Sequence, residues 1–181
     1  MVPESMLLFL SKDSILEHMK YAENIRLQIS ILKKSFPQIY GKSFAEAMRC
    51  KIPKRYKIEL QEKYVEYLSH ELYFKSFAAN DKLCREIKEY FSSEDSFCYE
   101  VLEIAKGQKN GYIYIYKGKG QGIKILHSAS GYTPFLHFTP ALCLDLEEHS
   151  YFADYGFRRE EYLRSAIARL DLSLLFVGEK G

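Results

Sequence analysis

The feature that most constrains this chain is a change of hydrophobic period partway along it. From Ser11 to Phe36, "SKDSILEHMKYAENIRLQISILKKSF" places Ile15, Met19, Ala22, Ile25, Ile29 and Leu32 at helical spacing. Such a stripe predicts one long amphipathic helix, capped by Asp13 or Ser14 and stopped by Pro37. "SFAEAMR" sets Glu46 three residues after Ser43, the reciprocal pattern that opens a short helix. After a basic connector, "KIPKRYK", the stretch "IELQEKYVEYLSHELYFKSFAAN" predicts a second long helix. Its stripe runs through Leu60, Tyr64, Tyr67, Leu68, Leu72 and Phe74. Two long helices joined by a short link fold back on each other to bury their stripes, so residues 1–80 are expected to form a helical hairpin.

Beyond that point the period changes. "DKLCREIKEYF" and "DSFCYEVLEIAK" predict two shorter helices. "NGYIYIYKGKGQGIKILHS" alternates on both sides of a glycine-rich turn and predicts a β-hairpin. "ALCLDL" supplies a third strand, and "RREEYLRSAIARLDLSLL" a closing helix. The expected class is α+β: a helical-hairpin domain over 1–80, then an α/β domain with an antiparallel sheet over 81–181.

Several function classes are set aside by the same reading. A formal net charge of +2 makes no bulk-charge case for nucleic-acid binding, and "RCKIPKRYK" reads as a solvated connector. No apolar run reaches the roughly 20 residues of a membrane span. Cys50, Cys84, Cys98 and Cys143 form no Cys-x-x-Cys pair, so reduced cysteines in a reducing compartment are expected. The opening "MVPESMLLFLSKD" has no basic segment and no Arg precedes Arg26, so the expected location is the cytoplasm. "GKGQG" opens no helix and reads as a turn, not a phosphate loop.

The chemistry-bearing candidates are the histidines. His18 lies on the first long helix and His70 on the second, so antiparallel packing can aim both rings into one space. Asp145 ends the third strand and His149 follows four residues later. That spacing alone leaves open both a ligand pair and an ordinary polar turn. Taken together, three imidazoles and a carboxylate make a nitrogen and oxygen set suited to iron, manganese or zinc. His127 and His137 are assigned no ligand role.

On these residues the chain resembles the iron/manganese superoxide dismutases. "DLEEHSYFADYGFRREEYL" is similar to the family signature Asp-x-Trp-Glu-His-(Ala/Ser)-Tyr followed by Asp-Tyr and Arg-x-x-Tyr-Leu. "LSKDSILEH", "GKSFAEAMR", "SHELYF", "YFSSEDSF" and "NGYIYIY" resemble further family segments in the same order. The resemblance implies His18, His70, Asp145 and His149 as ligands of one iron or manganese ion per subunit, held between the two domains, and a three-stranded sheet. It implies superoxide as substrate, converted to dioxygen and hydrogen peroxide. Arg159 would then be the cation that attracts the anion, and Glu66 would stand near the solvent ligand. It also implies a homodimer, with Glu148 of one subunit meeting the His149 of the other. Neither a nucleic-acid nor a membrane partner is expected.

The chain departs from the family around those ligands. Ala22 and Arg26 stand where the family has a gateway histidine and a shielding tyrosine, and Glu147 and Phe152 replace a tryptophan and a tyrosine. The family glutamine falls on Glu66 or Gly131, so neither position discriminates iron from manganese. The alternative to an enzyme is therefore a metal-binding or interaction homodimer of the same fold that has lost turnover.

Overall fold

The computed structural model describes residues 2–77, 87, 90–118, 122–129, 135 and 139–176. After a 3-10 turn at Glu4–Leu8 comes α1, Lys12–Ser35. Its cap is Ser11, whose hydroxyl accepts from the Ser14 amide, so the helix begins earlier than the expected Asp13 or Ser14 cap. The Ser11 amide is itself held by Asp154, at 2.8 Å, which ties the helix start to the far end of the chain. The stripe buries Ile15, His18, Ala22, Ile25 and Ile29. Helix α2, Phe44–Arg49, carries the expected capping box of Ser43 and Glu46.

Helix α3, Lys54–Lys75, absorbs half of the basic connector, because Pro53 is well suited to precede a helix. Its buried face is Leu60, Tyr64, Val65, Ser69, His70 and Tyr73, rotated from the expected stripe. The reason is that α3 packs on both α1 and the sheet. The face between them is partly polar, and Ser69 is buried there because its hydroxyl bonds the Val65 carbonyl and the Tyr114 phenol. Most of the predicted helix "DKLCREIKEYF" lies outside the described residues, as does Cys84.

Helix α4, Glu94–Lys106, is capped by Ser93. The hairpin follows as β1, Tyr112–Gly118, and β2, Gly122–Ser128, with β3 at Leu142–Asp145. The order is β2-β1-β3, and β1 runs antiparallel to both neighbours. Tyr112, Ile113, Tyr114 and Ile115 of this central strand are all buried. Its alternation sends Tyr112 and Tyr114 toward α3, where they meet His70 and Ser69. The protein thus has an α+β fold, N-terminal helices followed by a three-stranded antiparallel sheet.

Past β3 come a 3-10 turn at Glu148–Ser150, then α5, Phe152–Tyr155, and α6, Arg159–Ile167. The predicted closing helix is shorter than expected. After Ile167 the chain bends so that the buried Asp171 can donate its amide to the Ser76 carbonyl, and Leu172–Phe176 forms a 3-10 turn. The larger hydrophobic core joins Met6, Ile15, Tyr73 and Phe77 with the sheet, α4 and α6. The smaller one, with Ile25, Ile29, Ile39 and Leu60, fills the far end of the helical hairpin. The larger core thus draws on both sides of the expected boundary at 80, which itself falls outside the described residues. No helix among the described residues is long and apolar enough to cross a membrane.

Candidate metal centre

Three elements and one turn deliver four side chains to one point. His18 comes from the buried face of α1 and His70 from that of α3. Asp145 ends β3, with its Cα paired to Tyr112 of β1. His149 sits in the 3-10 turn that follows. Their donor atoms are the Nε2 of each imidazole and Oδ2 of the carboxylate. Asp145 Oδ2 lies 3.2 Å from His18, 3.6 Å from His70 and 3.3 Å from His149, and the Nε2 atoms of His70 and His149 are 3.1 Å apart. The whole set lies within 4.8 Å of one another. Atoms bound at about 2.0–2.2 Å to a common ion are separated by roughly 3–4 Å, so the spacing fits an ion at the centre.

The hydrogen-bond inventory supports the same fit. Asp145 Oδ2 and both ring nitrogens of His18 are buried with no hydrogen-bond partner among the described residues. A buried polar atom without a partner is costly, so lone pairs that converge without donors are suited to a cation. The other atoms are anchored. Asp145 Oδ1 accepts from the Glu147 amide at 2.8 Å, and its carbonyl accepts from Tyr162 at 2.9 Å. His70 Nδ1 donates to the Glu66 carbonyl at 2.6 Å, which leaves Nε2 free to ligate.

Protonation follows from burial and charge. Burial is the largest influence on His18 and His70 and holds both below the usual imidazole value, His70 at about 4. Burial also opposes charge on Asp145, but the imidazoles of His149, His18 and His70 close beside it outweigh burial and hold the carboxyl well below the usual range. Burial pulls His149 down too, yet the Asp145 carboxylate beside it leaves it raised. Two imidazoles are therefore kept neutral with their lone pairs available, opposite one carboxylate.

Beside the cluster a pocket of about 470 Å³ is lined by Tyr21, Glu62, Val65, Glu66, Tyr112, Glu147 and His149. Tyr21 was absent from the expected residues. Its phenol donates to Glu66 Oε1 at 2.6 Å, and its ring lies 4.5 Å from that of His149. The signal was present in the sequence: Tyr21 is three residues after His18, and Glu66 four before His70, so each shares a helix face with an imidazole. A phenol thus lines this pocket although Arg26 does not supply it. Arg26 instead forms an exposed pair with Glu23 at 2.5 Å, and Ala22 is buried.

The remaining predicted residues stand further out. Glu147 Oε1 accepts from the Gly111 amide at 2.9 Å. Arg159 begins α6, outside the pocket lining, where its charge acts on Tyr151 and its Nε and Nη2 are buried without a partner among the described residues. Glu148 is exposed beside His149. Phe152 packs edge-on to the exposed Phe157. His127, on β2, bonds the Asn110 carbonyl at 2.9 Å; His137 and Gly131 lie outside the described residues. Cys50, Cys98 and Cys143 are free thiols.

Comparison with known proteins places this geometry in context. Residues 79–174 match the profile of the iron/manganese superoxide dismutases, C-terminal domain. The chain is 29% identical over 110 residues, 56% of its own length and 54% of the relative's, to an iron superoxide dismutase of Synechococcus elongatus. It is 24% identical over 161 residues, 82% of the chain and 68% of the relative, to a manganese superoxide dismutase of Acinetobacter baylyi. A manganese/iron superoxide dismutase of Rickettsia conorii is 30% identical over 84 residues, 45% of the chain and 40% of the relative. The chain thus spans about half the length of the Synechococcus relative and less of the Rickettsia one.

Proposed function

Since the chain belongs to the iron/manganese superoxide dismutase family, we propose that it is a superoxide dismutase whose ion, one iron or manganese per subunit, is held by His18, His70, Asp145 and His149. The observation that carries this reading is the convergence of three Nε2 atoms and one carboxylate oxygen, of which His18 Nε2 and Asp145 Oδ2 are buried without a hydrogen-bond partner among the described residues. When bound, the ion supplies one-electron cycling between its trivalent and divalent states, so that one superoxide is oxidised to dioxygen and a second, taking two protons, is reduced to hydrogen peroxide.

The residues of the chain do the rest. His18 and His70, neutral by burial, offer lone pairs without first losing a proton. Asp145 contributes the negative charge that favours a trivalent over a divalent ion, with Oδ1 fixed by the Glu147 amide. Glu66 forms a wall of the adjoining pocket and accepts from Tyr21. Arg159, a fixed cation beside Tyr151, attracts an anion through its field and not by contact. The centre sits between the helical hairpin of 1–80 and the unit of 81–181. Two subunits pair through Glu148 and His149, which share one turn at the surface. The free thiols fit a reducing compartment such as the cytoplasm.

One observation favours the alternative, a metal-binding homodimer without turnover. The pocket wall carries Glu62, Glu66 and Glu147, whose charge opposes an anionic substrate. The two readings separate in one experiment. Protein loaded separately with iron and with manganese is assayed for bound metal and for superoxide consumption. Metal with turnover is the expected result; metal without turnover supports the alternative. No bound metal in either preparation would rule out both.

A further inference from the structure

The geometry points to Tyr21 as a positioning residue of this centre, one that holds the His149 ring in place and is itself held by Glu66. The inference rests on the metal-centre reading above. His149 is the least confined of the four side chains: it is 30% exposed, whereas those of His18, His70 and Asp145 are 1%, 0% and 0% exposed. It also stands on a three-residue 3-10 turn and not on a long helix or a sheet strand. Burial confines the other three, and hydrogen bonds to the Glu66 carbonyl and from the Glu147 amide further hold His70 and Asp145. Within one subunit the fourth ring also needs a restraint if Nε2 is to stay aimed at the ion, because a ligand free to rotate must lose that freedom on binding.

Tyr21 is the side chain placed to do this. Its ring covers the imidazole of His149, with centroids 4.5 Å apart and planes tilted by 34°, and lies 5.4 Å from that of His70. Its hydroxyl donates to Glu66 Oε1 at 2.6 Å, a short bond to an acceptor that carries charge when ionised. Glu66 in turn belongs to the turn of α3 whose carbonyl orients His70. A phenol and a carboxylate therefore link α1, α3 and the His149 turn, the three segments that deliver the three imidazoles. Tyr21 is also 40% exposed, so its loss opens no cavity in the core.

The test uses cobalt(II) as the metal probe, with the wild-type protein, Tyr21→Phe, Tyr21→Leu, Glu66→Gln and the double variant Tyr21→Phe/Glu66→Gln. Three quantities are read: the rate at which a chelator removes the metal, the visible band of the bound cobalt, and the thermal midpoint of the metal-free protein. Tyr21→Leu should lose cobalt about tenfold faster or more, with a shifted band and an unchanged metal-free midpoint. Tyr21→Phe keeps the ring and should fall between wild type and Tyr21→Leu. Glu66→Gln should add little once the hydroxyl is gone, because both changes remove the same bond. Wild-type release rates and band position in Tyr21→Leu would overturn the inference, as would fully additive effects of Tyr21→Phe and Glu66→Gln. Failure of the wild-type protein to bind cobalt, iron or manganese would instead overturn the metal centre on which it rests.

Discussion

Tyr162 shows how a single hydroxyl supports the centre from behind. Fully buried in the larger core, it donates to the Asp145 carbonyl at 2.9 Å and meets the Tyr73 hydroxyl at 3.2 Å. Tyr162→Phe keeps the ring but strips both contacts; Ser150 still reaches the same carbonyl at 3.3 Å. The expected cost is about 1 kcal/mol in urea unfolding of the metal-free protein, with bound metal reduced but not abolished. Asp145→Ala and His70→Ala should behave differently. Each removes a donor atom, so metal content after equal loading should fall to near zero, as read by elemental analysis. Retention of one ion per subunit by both variants would exclude the site. The four candidate residues were legible in the sequence as a set, and the fold brings them together. The spacing of Tyr21 from His18 was present in the sequence, but its packing against His149 was not legible there, because it depends on how far α1 is rotated against α3, and a helical stripe alone does not specify that angle to within one residue.

At the scale of elements, the link between β1 and the Asp145 loop is the most exacting joint. Gly111 precedes β1 with φ of +89°, a conformation that other residues enter only with strain. A Cβ there would meet the Ser128 carbonyl oxygen at 2.4 Å, which is backbone and cannot swing away. The Gly111 amide also binds Glu147, and its carbonyl receives the Leu146 amide at 2.9 Å. Gly111→Ala should therefore cost about 2–3 kcal/mol or more and weaken metal retention together with stability. Ser43→Ala, at the capping box of α2, should cost only about 1 kcal/mol and leave metal content unchanged, since α2 packs in the smaller core away from the four donors. The capping box was readable because its signal is local. The start of α1 and the end of α6 were not, because Ser11 is fixed by Asp154 and Asp171 by Ser76, both contacts between residues distant in the chain.

For the whole molecule, the burial of His18 and His70 makes the metal-free fold sensitive to acid. Both have folded values below the ordinary 6.5, with His70 at about 4. Below pH 6.5 the unfolded chain binds protons that the folded state refuses, so stability falls as pH falls through this window. His149, raised, acts in the opposite sense: its contribution is present below 6.5 and lost as pH rises through its folded value. Asp145, depressed, contributes above 3.8 and loses that contribution only in stronger acid. Below 6.5 His149 is protonated in both states and adds no slope, so His18 and His70 set the sign, and His70 alone accounts for a loss of about 1.4 kcal/mol per pH unit between 6.5 and 4. Urea midpoints of chelator-treated protein across that range check the sign; a midpoint that rises on acidification would contradict it. Metal binding should raise the thermal midpoint at pH 7 and remove this acid sensitivity until protons compete for the ligands.

What the sequence determined by itself was periodic or local: two long helices, a hairpin, a third strand, one capping box, and the order of four ligand-type residues along the chain. Each rests on spacings of two to four residues, which the backbone geometry of a helix or strand converts directly into a shared face. Tertiary structure alone decided which faces meet. It turned α3 so that Ser69 and His70 enter the core, put Tyr112 of β1 opposite Asp145 of β3, and set Tyr21 against His149 with Glu66 to hold it. Such contacts join residues 33 to 128 positions apart, and their geometry depends on packing summed over the entire core, a quantity no short stretch of sequence contains.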